Sequence, residues 1–226
     1  MIGKSLILIV IFSIFLVAED FAQDSLTIIT DLSTLKTKPS RLEAKNYLGI
    51  DWRLGNVYLF NQNALLNQQI RYDLDNKLIE IRDQNAIRIL ESFRVRRFEW
   101  TDDGERYLYT NCASFQYTEW VEGFYRVLAQ GEITLLERTE IKVEQERATG
   151  SIDTQRFVSD EEPDELETLL YMARGSSVVD LGRKKEVLSY FGEKATQVET
   201  YSKENHLNFR KKKHLIRIVE YYNGLP

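Results

Sequence analysis

Between Tyr47 and Gln145 apolar and polar residues alternate in short runs. In "QIRYDL", Ile70, Tyr72 and Leu74 alternate with Arg71 and Asp73, and after Asp75-Asn76 the run "KLIEIRD" sets Ile79 and Ile81 on one side. Two alternating runs joined by a short Asp-Asn turn predict a β-hairpin. The longest run, "ITLLERTEIKVEQE", places Ile133, Leu135, Thr139, Ile141 and Val143 on one face and Arg138, Glu140, Lys142 and Glu144 on the other. That period predicts a strand with one side on a core and one in water. "ERYLYTN", "WVEGFYRVLAQ" and "FRVRRFEW" continue the pattern with aromatic and β-branched residues. In the last of these, strict alternation sets Phe93 and Val95 against Phe98 and Trp100, which predicts a bulge near Arg96-Arg97. Turn signals recur roughly every eight to twelve residues, which argues against parallel βαβ units. The interval therefore predicts an antiparallel sheet, as a sandwich or an incomplete barrel.

Residues 146–167 break the alternation with polar residues, a proline and a run of carboxylates, and read as an exposed loop. "TLLYMAR", Gly175-Ser176-Ser177 and "VVDLG" then predict a last hairpin. Past Gly182 the period becomes helical. Val187, Leu188 and Phe191 mark a first short helix ended by Gly192, and Ala195, Val198 and Tyr201 mark a second. Leu215, Ile218, Val219 and Tyr222 mark a third, with Asn208 as its front cap and Gly224 behind. Each stripe is narrow, so the helices are expected to pack on one another or on the sheet. The fold class is α+β: a mainly antiparallel sheet (47–182) followed by a C-terminal cluster of short helices (183–226). Ahead of the sheet, 24–46 is polar and aperiodic and reads as a linker or loosely docked lead-in.

The first residues change the picture of where the chain goes. Lys4, an apolar run from Leu6 to Ala18 broken only by Ser13, and the polar stretch from Glu19 to Asp24 have the form of a secretory signal peptide over 1–23. The run is short for a membrane span, which needs about 20 apolar residues. A periplasmic or secreted protein without a stable membrane anchor after cleavage is the expectation. Removing Lys4, Glu19 and Asp20 with that segment takes the formal charge from −5 to −4, a balance with no global attraction for nucleic acid. Cys112 is the sole cysteine, so the fold has no internal disulfide and must rest on its core.

Candidate chemistry is sparse. His206 and His214 have no metal-spacing partners, and neither a His-Glu-x-x-His nor a Cys-x-x-Cys motif occurs. "RGSSVVDLG" lacks the Gly-x-Ser-x-Gly elbow and reads as a turn. Cys112 reads as a buried strand-end thiol. The carboxylates from Asp160 to Glu167 read as a solvated loop, with weak calcium binding as the competing reading. No catalytic residue, metal or cofactor is assigned. Two features remain as partner-binding candidates: aromatic strand residues, above all Tyr107, Tyr109 and Trp120, and the basic run at "RKKKH", with Lys212, Lys213 and Arg217. The basic run reads chiefly as the solvated face of the third helix. Its competing readings are a site for an anionic envelope polymer or lipid headgroup and, least favoured, for nucleic acid.

Two segments resemble uncharacterised exported proteins of Gram-negative bacteria: "GNVYLFNQNALLNQQIRYDLDNKLIEIRDQNAIRILESFRVRRFEW", and the ending "VETYSKENHLNFRKKKHLIRIVEYYNGL" with its Tyr-Tyr-Asn. The resemblance implies export and one shared architecture from about Tyr47 to Leu225, and no activity. The function expected is a non-enzymatic envelope binding or assembly module whose partner is a protein or glycan. The alternatives are a hydrolase built on two distant carboxylates and a sensor or structural component of a cell-surface system.

Overall fold

A computed structural model describes residues 26–49, 51–84, 86–116, 121–142, 164–181 and 183–226. The expected signal peptide, Trp120, and the loop from 146 as far as 163 lie outside the described residues. The strands are β1 (Thr27–Ile28), β2 (Lys36–Thr37), β3 (Arg53–Leu59), β4 (Asn63–Asp73), β5 (Leu78–Asp83), β6 (Ala86–Glu91), β7 (Val95–Asp102), β8 (Glu105–Asn111), β9 (Phe124–Ala129), β10 (Thr134–Ile141), β11 (Leu166–Arg174) and β12 (Ser177–Asp180). They form one sheet in the order β12-β11-β10-β9-β8-β7-β3-β4-β5-β6-β2, with β1 parallel to β4 and the other pairs antiparallel.

That order requires curvature. β6 stands four strand steps from β7, about 19 Å in a flat sheet at the usual spacing. The connection Ser92–Arg94, a 3₁₀ turn, reaches at most about 14 Å between its flanking strands. The sheet therefore curls from β7 to β6 into an unclosed barrel. Asn111 secures the crossing: its buried Nδ2 donates to the carbonyls of Ser92 at 2.9 Å and Val95 at 2.7 Å. Val57, Ile70, Ile79, Ile81, Phe98 and Phe124 fill the concave interior.

The hairpin of β4 and β5 forms as expected, with Arg71 opposite Glu80 and Tyr72 opposite Ile79. The bulge is also present: Tyr58 pairs with Arg97 and Leu59 with Val95, so Arg96 is the extra residue on β7. β10 departs from the expected one-sided pattern. Its register shifts between Leu135 and Leu136. Leu135 faces the helices while Leu136 joins Tyr125 and Tyr171 in a separate apolar cluster, so the start of the strand is covered on both faces.

The stretch read as a loosely docked lead-in is drawn into the sheet. β1 and β2 pair with β4 and β6, Leu35 is buried, and Ile29 and Leu32 pack on the barrel core. Isolated apolar residues in a polar stretch carry no period, and only the curled sheet supplies the surface they cover.

The helices are α1 (Lys184–Tyr190), α2 (Ala195–Glu204) and α3 (Lys212–Asn223). Val187, Phe191, Val198, Leu215, Ile218 and Val219 pack with Ile133, Leu135 and Met172 of the sheet region. Lys211, not Asn208, stands at the α3 N-cap, with no side-chain cap bond. Asn208 instead closes the preceding turn, accepting from the Arg210 amide at 2.8 Å and donating its own amide to His214 Nδ1 at 2.9 Å. The terminal Tyr-Tyr-Asn is a clamp. Asn223 bonds both the N–H and C=O of Ile133, at 3.0 and 2.8 Å, the Tyr222 hydroxyl donates to Glu132 at 2.6 Å, and Tyr221 stacks on Tyr201 of α2 at 3.8 Å.

Candidate functional site

The expected partner-binding residues have separate fates. Tyr109 lies in the barrel core, stacked on Phe98 at 4.6 Å between ring centroids, and burial raises its hydroxyl pKa. It is not available on a surface. Tyr107 is half-buried beneath the Arg126 guanidinium at 4.1 Å. Arg126 bonds Glu137 at 3.4 Å, and Glu137 also pairs with Lys212. Tyr107, Arg126, Glu137 and Lys212 thus form a ladder across the seam between the barrel core and the helices, which gives two of the expected residues a structural place. Lys213 and Arg217 stand exposed on the outer side of α3 and meet no carboxylate among the described residues.

A different constellation forms on the convex side of the β4–β5 hairpin. Alternation sends Ile70, Tyr72, Ile79 and Ile81 to the core, so Arg71, Asp73, Glu80 and Arg82 face outward. The segment from Lys38 to Tyr47 crosses this face and leaves Asp73 and Glu80 with no solvent exposure. Charges so buried need partners. Glu80 accepts from Arg71 Nε at 2.8 Å and Nη2 at 2.7 Å, from Lys38 Nζ, and from the Tyr47 hydroxyl at 3.4 Å. Burial alone would lower the Lys38 pKa, but the bond to Glu80, the Glu80 charge and the Tyr47 hydroxyl together outweigh it, and the ammonium is held above its ordinary value. Burial raises the Asp73 pKa against the two bonds it accepts from Asn76, at 2.8 and 2.9 Å.

Above this floor, aromatic rings and guanidinium groups alternate. Arg71 lies 3.9 Å from the Tyr47 ring centre and 4.4 Å from Trp52, and Arg82 lies 4.6 Å from Trp52. The series borders an open groove of about 850 Å³, walled by Pro39, Leu42 and Glu43 of the crossing segment and by Ile87 of β6. Arg71 is committed to Glu80. Arg82 is exposed and, among the described residues, has Trp52 as its partner and no carboxylate. Its five N–H donors therefore line the groove, suited to a carboxylate, sulfate or phosphate group.

The crossing segment is latched at its far end. Asn46, itself buried, donates from Nδ2 to Asp75 and Asp164, both at 2.8 Å, and its Oδ1 accepts from the Asp164 amide at 2.8 Å. Another buried carboxylate, Glu99 on β7, accepts from Asn56 at 2.9 Å and from Arg106. Burial pushes its pKa up, and the bonds from Asn56 and Arg106 more than reverse this, so it lies below the ordinary value. Cys112 is buried, and burial pushes its thiol up to about 12, which keeps it a packing group. Among the described residues no group of three His, Cys, Asp or Glu could hold a metal ion. The sheet edges are poorly suited to strand addition: β2 has two residues, one a lysine, and β12 has four and is bridged by Gln116.

The residues of the groove were partly foreshadowed in the sequence. Once the hairpin register is accepted, Arg71 and Glu80 must face each other on the outer side. Lys38 and Trp52 carry no such signal, since they reach the site from outside the hairpin.

No family model, no curated protein and no solved structure matches this chain.

Proposed function

We propose that this is a non-enzymatic binding module of the cell envelope, exported through its N-terminal apolar segment, and that the groove beside Trp52 holds an acidic glycan. The observation that carries the reading is the Arg82 guanidinium, which lines the groove over Trp52 at 4.6 Å and has no carboxylate partner among the described residues. The Trp52 ring seats the cation and leaves its N–H donors to a ligand anion. An open groove floored by fixed charges suits a polymer passing along the surface. Asp73 and Glu80, which could have served a carboxylate-pair hydrolase, are sealed within the floor and bonded internally, which favours binding over hydrolysis.

The test is calorimetric titration of the protein with polygalacturonate and with uncharged dextran. Polygalacturonate is expected to bind, with affinity falling as salt rises, and dextran is not. Arg82→Gln is expected to weaken binding about tenfold, one charge-assisted contact being worth roughly 1.5 kcal/mol, with an unchanged melting temperature. Equal binding of both polymers, or full affinity in Arg82→Gln, would sink the proposal.

A further inference from the structure

Large apolar side chains that stay in water form a group at one end of the barrel, around the turn between β3 and β4. Phe60 begins that turn and is 47% exposed, and Phe93, in the 3₁₀ crossing between β6 and β7, is 67% exposed. The Phe60 amide donates to the Arg94 carbonyl at 3.1 Å, so the turn and the crossing are neighbours. On the other side of the turn the Thr27 amide donates to the Gln62 carbonyl at 3.1 Å, which brings up Leu26, 42% exposed, and Ile28, 52% exposed. Three separate segments thus deliver four of the eight large hydrophobics exposed among the described residues to one place. Scattered exposed apolar residues need no account, but a convergent group marks a contact surface.

Charge indicates what covers it. Arg94 directly follows Phe93 and shares Glu91 with Lys36, at 3.6 and 2.5 Å, so two exposed cations stand against one carboxylate beside the patch. Phenylalanine rings flanked by basic side chains match the boundary of an anionic bilayer, where rings enter the acyl margin and cations meet headgroups.

We propose that the end of the barrel bearing Leu26, Ile28, Phe60 and Phe93 rests on an anionic lipid surface, leaving the groove beside Trp52 free. None of these four residues lines that groove, so the two readings stand or fall separately.

The experiment places a fluorescent reporter in the patch of the full chain. Phe93→Trp and Phe60→Trp variants, with Leu54→Trp as an exposed control in β3 outside the patch, are mixed with vesicles of phosphatidylcholine alone or with phosphatidylglycerol, carrying brominated acyl chains. After subtraction of the signal of the unsubstituted protein, which carries Trp52, Trp100 and Trp120, the indoles introduced at 93 and 60 are expected to be quenched to about half on vesicles containing phosphatidylglycerol, and the control is not. This readout holds even where the leading segment itself inserts, because it senses contact at the patch. Absence of quenching at both patch positions, or equal quenching at the control, overturns the proposal. So does sedimentation showing a dimer that Phe60→Ser with Phe93→Ser dissolves, since a second copy would then own the surface.

Discussion

The two ends of the sheet are covered by opposite chemistry. At the β9–β11 end, three helices lay a continuous apolar stripe on Ile133, Leu135 and Met172, and Asn223 locks the last helix to the Ile133 backbone. At the β4–β6 end, the outward face carries Arg71, Asp73, Glu80 and Arg82, and its cover is a polar strap from Lys38 to Tyr47 that supplies counter-charges and a ring instead of methyl groups. The first end gains stability from area removed from water. The second contributes little net stability, because desolvating charges costs about as much as pairing them returns. What it supplies is a rigid charged floor, and an open groove lies above it.

That contrast is easiest to break at its apolar end. Ile218→Ala, at a position with no solvent exposure, is expected to cost about 2–5 kcal/mol, read from the denaturant midpoint. A cost below about 1 kcal/mol would mean that the helices contribute little to the common core. At the charged end, Glu80→Gln keeps the shape of the side chain and leaves Lys38 and Arg71 without their shared counter-ion. About 2–3 kcal/mol is expected, less than for a fully sealed pair because both cations retain some solvent. A neutral or stabilising outcome would show that the floor is kept for the groove alone.

The smallest effect sharpens the comparison by pH. Folding lowers the Glu99 pKa, so its contribution to stability is complete above the ordinary glutamate value of 4.5 and is lost as pH falls through the folded value. Asp73, whose pKa folding raises, acts with the opposite sign and gains stability on protonation. Glu99→Gln is therefore expected to flatten the fall in melting temperature below about pH 4.5, and Asp73→Asn to remove a gain that accrues as pH falls toward the ordinary aspartate value of 3.8. Thermal scans across that range decide it, and identical slopes in all three proteins would remove both assignments.

Alternation and the Asp-Asn turn made the hairpin of β4 and β5 legible, and the broken alternation in "FRVRRFEW" located the bulge at Arg96. Four apolar residues at helical spacing marked α3. These are local signals: a period of two or of 3.6 is written into neighbouring residues because each element must bury one side. The sequence by itself thus determined the classes of element, their order and the antiparallel sheet. Only the tertiary structure decided that the sheet curls until three residues can join β6 to β7, that Tyr109 belongs to the interior, and that Lys212 is held by Glu137. It also brought Lys38, Tyr47, Trp52, Arg71 and Arg82 to one groove. Those placements depend on pairings between distant segments, where each residue's partner is set by the path of the whole sheet and leaves no period in the chain.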